Sequence, residues 1–145
     1  MQTARGLALS TLGEIFQDGA FSNIALKKAL RKATLSEVDK SLVTEIVYGT
    51  VSRKLTLEWY LSHFVADRDQ VDPWIYHLLL MSLYQFVYFE KIPPHAVVHE
   101  AVELAKQRKK GSEKYVNALL RKILREGLPS IDRIKRVNKR LSIRY

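Results

Sequence analysis

The chain has 145 residues, 47% hydrophobic and 27% charged, which suits one globular domain with a real core and excludes a disordered segment. It contains no cysteine, which excludes disulfides, cysteine-zinc sites and a cysteine nucleophile within these residues and fits the reducing cytoplasm, the location we expect. The net charge is +9, but residues 106–145 hold 14 Lys and Arg against Glu113, Glu126 and Asp132, whereas residues 1–105 hold 10 basic and 12 acidic side chains; an excess gathered in one segment points to a polyanion partner.

Helical periodicity runs through nearly the whole sequence. Thr3 is a candidate cap for a first helix with Leu7, Ala8, Leu12, Ile15 and Phe16 on its apolar side, stopped by Gly19. Ser22 or Asn23 caps a short second helix, which turns Ala25, Leu26, Ala29 and Leu30 inward and Lys27, Lys28, Arg31 and Lys32 outward. Ser36 opens a third, with Glu37 and Asp39 in the turn where the helix dipole favours anions. Its apolar side continues through Leu42, Val43, Ile46 and Val47, past Gly49, and on to Phe64 as one long helix, because a single internal glycine costs only about 1 kcal/mol.

Asp67 to Asp72 reads as a polar loop, and Asp72-Pro73 as a strong helix start. The run from Trp74 to Phe89 is apolar almost all round but about one turn short of a bilayer span, and it contains His77, Ser82 and Gln85; it reads as a central core helix, with no membrane role. Its aromatic residues, including Trp74, Tyr76, Tyr84, Phe86, Tyr88 and Phe89, are expected in the core rather than stacked on bases. Pro94 starts the next helix, with Val97, Val98, Ala101, Val102, Leu104 and Ala105 inward. Gly111 ends it, Ser112 caps a last helix, and Gly127 with Pro129 closes that one. The expected fold is all-α: about seven helices over residues 1–129, followed by a basic linker over residues 130–145. The finish at Ser-Ile-Arg-Tyr carries neither cap nor stop signal and reads as a piece of something longer.

The chemistry of catalysis is thin. No two of the six glycines are close enough to form a phosphate-cradling or dinucleotide loop, and no Asp or Glu pair sits in a recognisable catalytic frame, so we assign no catalytic residue. His95 and His99 stand four apart, but no third ligand is placed beside them, and we assign no metal and no cofactor to this chain. The informative segment is Lys106 to Arg125. Val116, Leu119, Leu120, Ile123 and Leu124 form the apolar face of the last helix. Lys114, Arg121, Lys122 and Arg125 form the opposite one, bordered by Tyr115 and Asn117, with Lys109 and Lys110 in the turn just before. Cations, a stackable ring and an amide on one surface suit single-stranded RNA, and free N–H groups at the helix start suit a phosphate.

The segment LLLMSLYQFVYFEKIPPHAVVHEAVELAKQRKKGSEKYVNALLRKIL resembles the C-terminal half of NusB-like domains, with their V-x-E-A-V-E-L-A-K helix followed by an F/Y-V-N-x-x-L-x-K/R helix. KSLVTEIVYGTVSRKLTLEWYLSHF is similar to the long third helix of the same domains, and the likeness covers nearly all of residues 4–127. It implies a helical fold of two packed three-helix-like bundles that binds RNA. Two branches of the family fit. YGTVSRKLTLEWYLSHF and the continuation IDRIKRVNKRLSIRY are closer to the N-terminal domain of RsmB-type (Sun-type) methyltransferases, which modify cytosine C5 of small-subunit ribosomal RNA with S-adenosylmethionine. The alternative is the free-standing transcription antitermination factor, which binds leader RNA together with a ribosomal protein; its N-terminal arginine cluster is reduced here to Arg5. In the methyltransferase branch the cofactor loop and catalytic cysteines lie further along, so the resemblance implies that S-adenosylmethionine belongs to a separate C-terminal catalytic domain. The RNA-facing residues it implies are Arg5, Lys114, Tyr115, Asn117 and Arg121, to which position adds Lys109, Lys110 and Arg125.

Overall fold

The computed structural model describes residues 2–89 and 91–128; the expected linker over residues 130–145 lies outside them. Among the described residues there are seven α-helices and no strand: α1 (Ala4–Phe16), α2 (Ser22–Lys32), α3 (Glu37–Ser52), α4 (Lys54–Ser62), α5 (Pro73–Tyr88), α6 (Pro94–Arg108) and α7 (Ser112–Glu126). Helices α1, α2 and α3 pack on one another, and so do α5, α6 and α7. The two groups meet where α5 contacts α1 and α3, and α4 links them by packing on α5 as well. The arrangement is the expected pair of three-helix bundles, with α5 as the shared wall.

Local chemistry accounts for most helix ends. The Thr3 hydroxyl accepts the Gly6 N–H, Ser36 accepts that of Asp39, and the Asp72 carboxylate accepts that of Trp74 at 2.8 Å, one residue after Pro73 fixes the first helical φ. Gly19, at φ +74°, lets Ala20 N–H reach back to the Glu14 carbonyl and close α1. Two starts differ from expectation. Helix α2 begins at Ser22 itself, after Phe21, so neither Ser22 nor Asn23 acts as its cap. Ser112 does not cap α7: its hydroxyl donates to the carbonyls of Lys109 and Ala105, so it closes α6 instead. The cap position of α7 belongs to Gly111, left-handed at φ +105°.

The long third helix is two helices. It runs through Gly49 and breaks at Arg53 (φ −112°, ψ 20°). Nothing in Ser52-Arg53-Lys54 is a helix breaker by type. The Ser52 hydroxyl bonds back to the Tyr48 carbonyl at 2.6 Å, which favours bending, and the Arg53 guanidinium lies 4.4 Å from the centre of the Tyr88 ring. The break is set by packing on α5, which periodicity does not register. Gly49 is needed for a different reason: a Cβ there would overlap the Tyr84 ring and hydroxyl.

Helix α5 is buried at every position from Ile75 to Gln85. Its polar residues are accommodated rather than exposed. Ser82 donates to the Leu78 carbonyl, and the Gln85 amide donates to that of Met81. His77 packs against Phe16, and burial, reinforced by the nearby charges of Arg68 and Lys54, holds its pKa below the ordinary 6.5. The aromatic run behaves as core: Tyr76 and Tyr84 are buried, while Trp74, Phe86, Tyr88 and Phe89 pack against the core from its edge. No helix among the described residues is long and apolar enough to cross a membrane.

Candidate nucleic-acid interface

The α6–α7 turn and the α4–α5 connection form one open groove of about 640 Å³. Its floor is apolar, made by Phe64, Val65, Val71 and Ile75. One rim carries Lys109, Lys110 and Tyr115. The opposite rim includes Asp67 and Asp72, whose carboxylates already accept the N–H groups of Asp69 and Trp74. The two rims thus carry opposite charge, the lysines and Tyr115 on one side and the two backbone-bonded carboxylates on the other. Tyr115 is 44% exposed, and partial burial pushes its phenol pKa up, so the ring stays neutral.

Beyond the groove, Lys114, Arg121 and Arg125 line the outer face of α7 over about 16 Å of helix, at about 1.5 Å per residue. All three are exposed, and among the described residues none has a carboxylate within ion-pair distance. Asn117 orients one of them: its side-chain carbonyl accepts the Arg121 Nε–H at 2.8 Å, leaving the terminal NH₂ groups of the guanidinium outward. Lys122 is exposed too but lies 4.0 Å from Glu126. The buried face is Val116, Leu119, Leu120 and Ile123; Leu124, expected among them, is 40% exposed, on the border of the face that α7 packs against α6 and α5.

The structure thus gathers Lys109, Lys110 and Tyr115 on the groove and places Lys114, Asn117, Arg121 and Arg125 on the adjoining helix face. Arg5 stands apart. Its Nε donates to the buried Gln85 side chain at 2.7 Å, its guanidinium lies 3.8 Å from Glu100, and only 15% of the side chain is exposed. The backbone at the start of α7 is also less open than expected. Gly111 N–H donates to the Glu113 carboxylate at 2.7 Å and Ser112 N–H to the Lys109 carbonyl; the backbone N–H of Glu113 itself, together with that of Gly111, holds the Glu113 pKa below its ordinary value. The positive groups left open at this turn are side chains. The groove floor had no signal in the sequence: Phe64, Val65 and Val71 meet the α6–α7 turn only through the tertiary fold.

The NusB family profile matches residues 2–125. The chain belongs to the NusB family. Its curated relatives include the probable ribosomal RNA small subunit methyltransferase B of Bacillus subtilis, 44% identical over 141 residues, and that of Synechocystis, 35% identical over 128. These matches take in 97% and 86% of this chain but only 32% and 28% of the relatives, so the chain spans about a third of their length. Among solved structures, the antitermination factors NusB and NusE in complex with double-stranded RNA include a chain that matches with a TM-score of 0.78 at 16% identity, over 86% of this chain and 95% of that one. At that identity the likeness concerns the fold.

Proposed function

We propose that this NusB-family chain is the RNA-binding, substrate-recognition region of an S-adenosylmethionine-dependent small-subunit ribosomal RNA cytosine-C5 methyltransferase. The observation that carries the reading is the row of cations with no ion pair among the described residues, beside an exposed tyrosine and a groove with an apolar floor. Lys109, Lys110, Lys114, Arg121 and Arg125 meet phosphates, while the Tyr115 ring stacks a base over the groove. Asn117 holds the Arg121 fork in place, which lowers the ordering cost of a phosphate contact. The methyltransferase relatives, matched over about a third of their length, support the assignment to ribosomal RNA. We place S-adenosylmethionine and the catalytic residues in a C-terminal domain of the same polypeptide, because the glycines of this chain are too scattered to cradle a cofactor. The cytoplasm is the location this function requires.

The structural likeness to an antitermination factor favours one second reading, a regulatory leader-RNA binder working with a ribosomal protein. Extending the polypeptide separates the two: transfer of a methyl group to cytosine C5 by the extended protein supports the first, and a stop codon directly after Tyr145 sinks it. RNA binding itself is tested by salt. Contact with about five phosphates on a single strand gives a log–log slope of roughly −3.5, a loss of about 100-fold between 50 and 200 mM salt. Arg121→Ala weakens binding with a melting temperature nearly unchanged, since exposed substitutions cost under about 0.5 kcal/mol. Tyr115→Ala costs about 1–3 kcal/mol of binding. A flat salt response refutes the reading.

A further inference from the structure

A second basic face lies on the other bundle. Helix α2 carries Lys27, Lys28, Arg31 and Lys32 and not one acidic residue from Ser22 to Lys32. All four cations are exposed. No carboxylate among the described residues lies within 4.0 Å of any of them. Ala25 and Leu26 are buried against the bundle, with Ala29 and Leu30 packed beside them. At 100° per residue the cations therefore occupy an arc of about 140° on the opposite side. The arc includes Ile24, and Phe21 at the helix cap leads into it; these side chains are 61% and 75% exposed. Lys28 and Lys32 also border a cleft against α1, lined by Ser10, Thr11 and Glu14.

The helix dipole accounts for Arg31 and Lys32, which sit in the last turn. It does not account for Lys27 and Lys28, nor for pairs of like charge at i, i+4 with no acid interleaved, each of which costs a few tenths of a kcal/mol. Nor does burial account for an aromatic ring left in water beside them. A lipid surface fits poorly. A helix lying in a membrane interface needs its broad apolar face free. Here that face is spent on the core, and only Phe21 and Ile24 remain, at one end. A row of cations approached through an exposed ring is what a single nucleic-acid strand uses, with phosphates along the cations and a base on the ring.

We infer that the Phe21–Lys32 face of α2 is a second RNA contact, in which Lys27, Lys28, Arg31 and Lys32 bind phosphates and Phe21 stacks a base. The inference rests on the RNA-binding reading of the α6–α7 face. Helix α2 packs on α1 and α3, whereas α7 packs on α6 and α5, so the two faces are separated by at least one helix, about 10 Å thick. Covering both at once takes a strand that runs along each face and around the helices between them, so the second face adds affinity chiefly for the longer strand.

The test uses the full 145-residue chain with Lys27, Lys28, Arg31 and Lys32 all changed to Gln, beside the wild type and Arg121→Ala. Fluorescence anisotropy is measured with oligouridine probes of about six and about thirty nucleotides, lengths chosen against site sizes of a few nucleotides per binding surface. The Gln variant should keep wild-type circular dichroism and bind the short probe within about two-fold of wild type. On the long probe its affinity should fall by about ten-fold or more, and the salt slope should become shallower by up to about 2.8, or about 0.7 for each phosphate no longer neutralised. Arg121→Ala should weaken both probes. Long-probe affinity and slope unchanged in the Gln variant, with Arg121→Ala still impaired, overturn the α2 site and leave the α6–α7 reading standing. Salt-insensitive binding by the wild type removes both. Loss of binding to phosphatidylserine vesicles without loss of RNA affinity also overturns the inference and makes the face a lipid-binding one.

Discussion

The arginines at the helix junctions and those along α7 are the same residue type in opposite situations. Arg53 lies over the Tyr88 ring, Arg68 lies 2.6 Å from Glu58 and over Tyr76, and Arg5 is held by Gln85 and Glu100. Each has its charge used inside the fold. Arg121 and Arg125 face outward, and among the described residues the one side chain bonded to Arg121 is the neutral amide of Asn117. A count of cations therefore says little about a polyanion site; what matters is which cations have no internal partner among the described residues. Arg5, first among the RNA-facing residues implied by family resemblance, differs from the others in this respect: its guanidinium is held by Gln85 and Glu100.

The strongest way to test the structural side of that contrast is Gly49→Ala. The added methyl collides with Tyr84, whose ring is stacked on Tyr88 at 5.5 Å and whose hydroxyl donates to Glu45 at 2.9 Å; burial, and then that bond, push its pKa up to about 12. The ring therefore has no inexpensive way to move. Overpacking of this kind costs about 3 kcal/mol, against a gain of about 1 kcal/mol in helix propensity. A net loss of about 2 kcal/mol is expected in urea unfolding, while RNA affinity of the folded fraction stays at the wild-type value. Loss of affinity without loss of stability would mean that the α3–α5 junction, not α7, meets the ligand.

Arg5→Ala comes next. It strips the donor from a Gln85 side chain that is only 1% exposed, and an orphaned buried acceptor costs about 1–3 kcal/mol. The expected result is a lower melting temperature with an unchanged salt slope for RNA. A slope reduced by about 0.7 with stability intact would return Arg5 to the RNA surface.

What the sequence shows of this molecule is whatever depends on neighbours along the chain. Asp72-Pro73 announces the start of α5, Thr3 and Ser36 announce theirs, and the amphipathic pattern assigns Val116, Leu119, Leu120 and Ile123 to the core. Features created by contact across the chain stay hidden. The break at Arg53 comes from Tyr84 and Tyr88, more than thirty residues away. Ser112 looks like a cap and instead closes the preceding helix, because the tight turn at Gly111 brings its hydroxyl to the Ala105 carbonyl. The candidate site divides the same way. The charged stripe of α7 is readable from spacing, and the groove beside Tyr115 is not, since its floor belongs to the α4–α5 connection.

The smallest expected effect is the most discriminating probe of the outward-facing side. Asn117 and Arg121 are one turn apart, and their 2.8 Å hydrogen bond is surface-exposed, so Asn117→Ala should change stability by less than about 0.5 kcal/mol. If the bond serves only the helix, nothing else changes. If it holds the guanidinium ready for a phosphate, removing it adds the cost of ordering a long side chain on binding, about 0.5–1.5 kcal/mol, or roughly two- to twelve-fold in affinity. The number of phosphates contacted is unchanged, so the salt slope should stay as it is while the intercept moves. In the Arg121→Ala background the same substitution should do nothing further, because there is no guanidinium left to order. Additive losses in that double-mutant cycle would show that Asn117 meets the RNA itself, and its amide would then bind the strand in its own right rather than support Arg121.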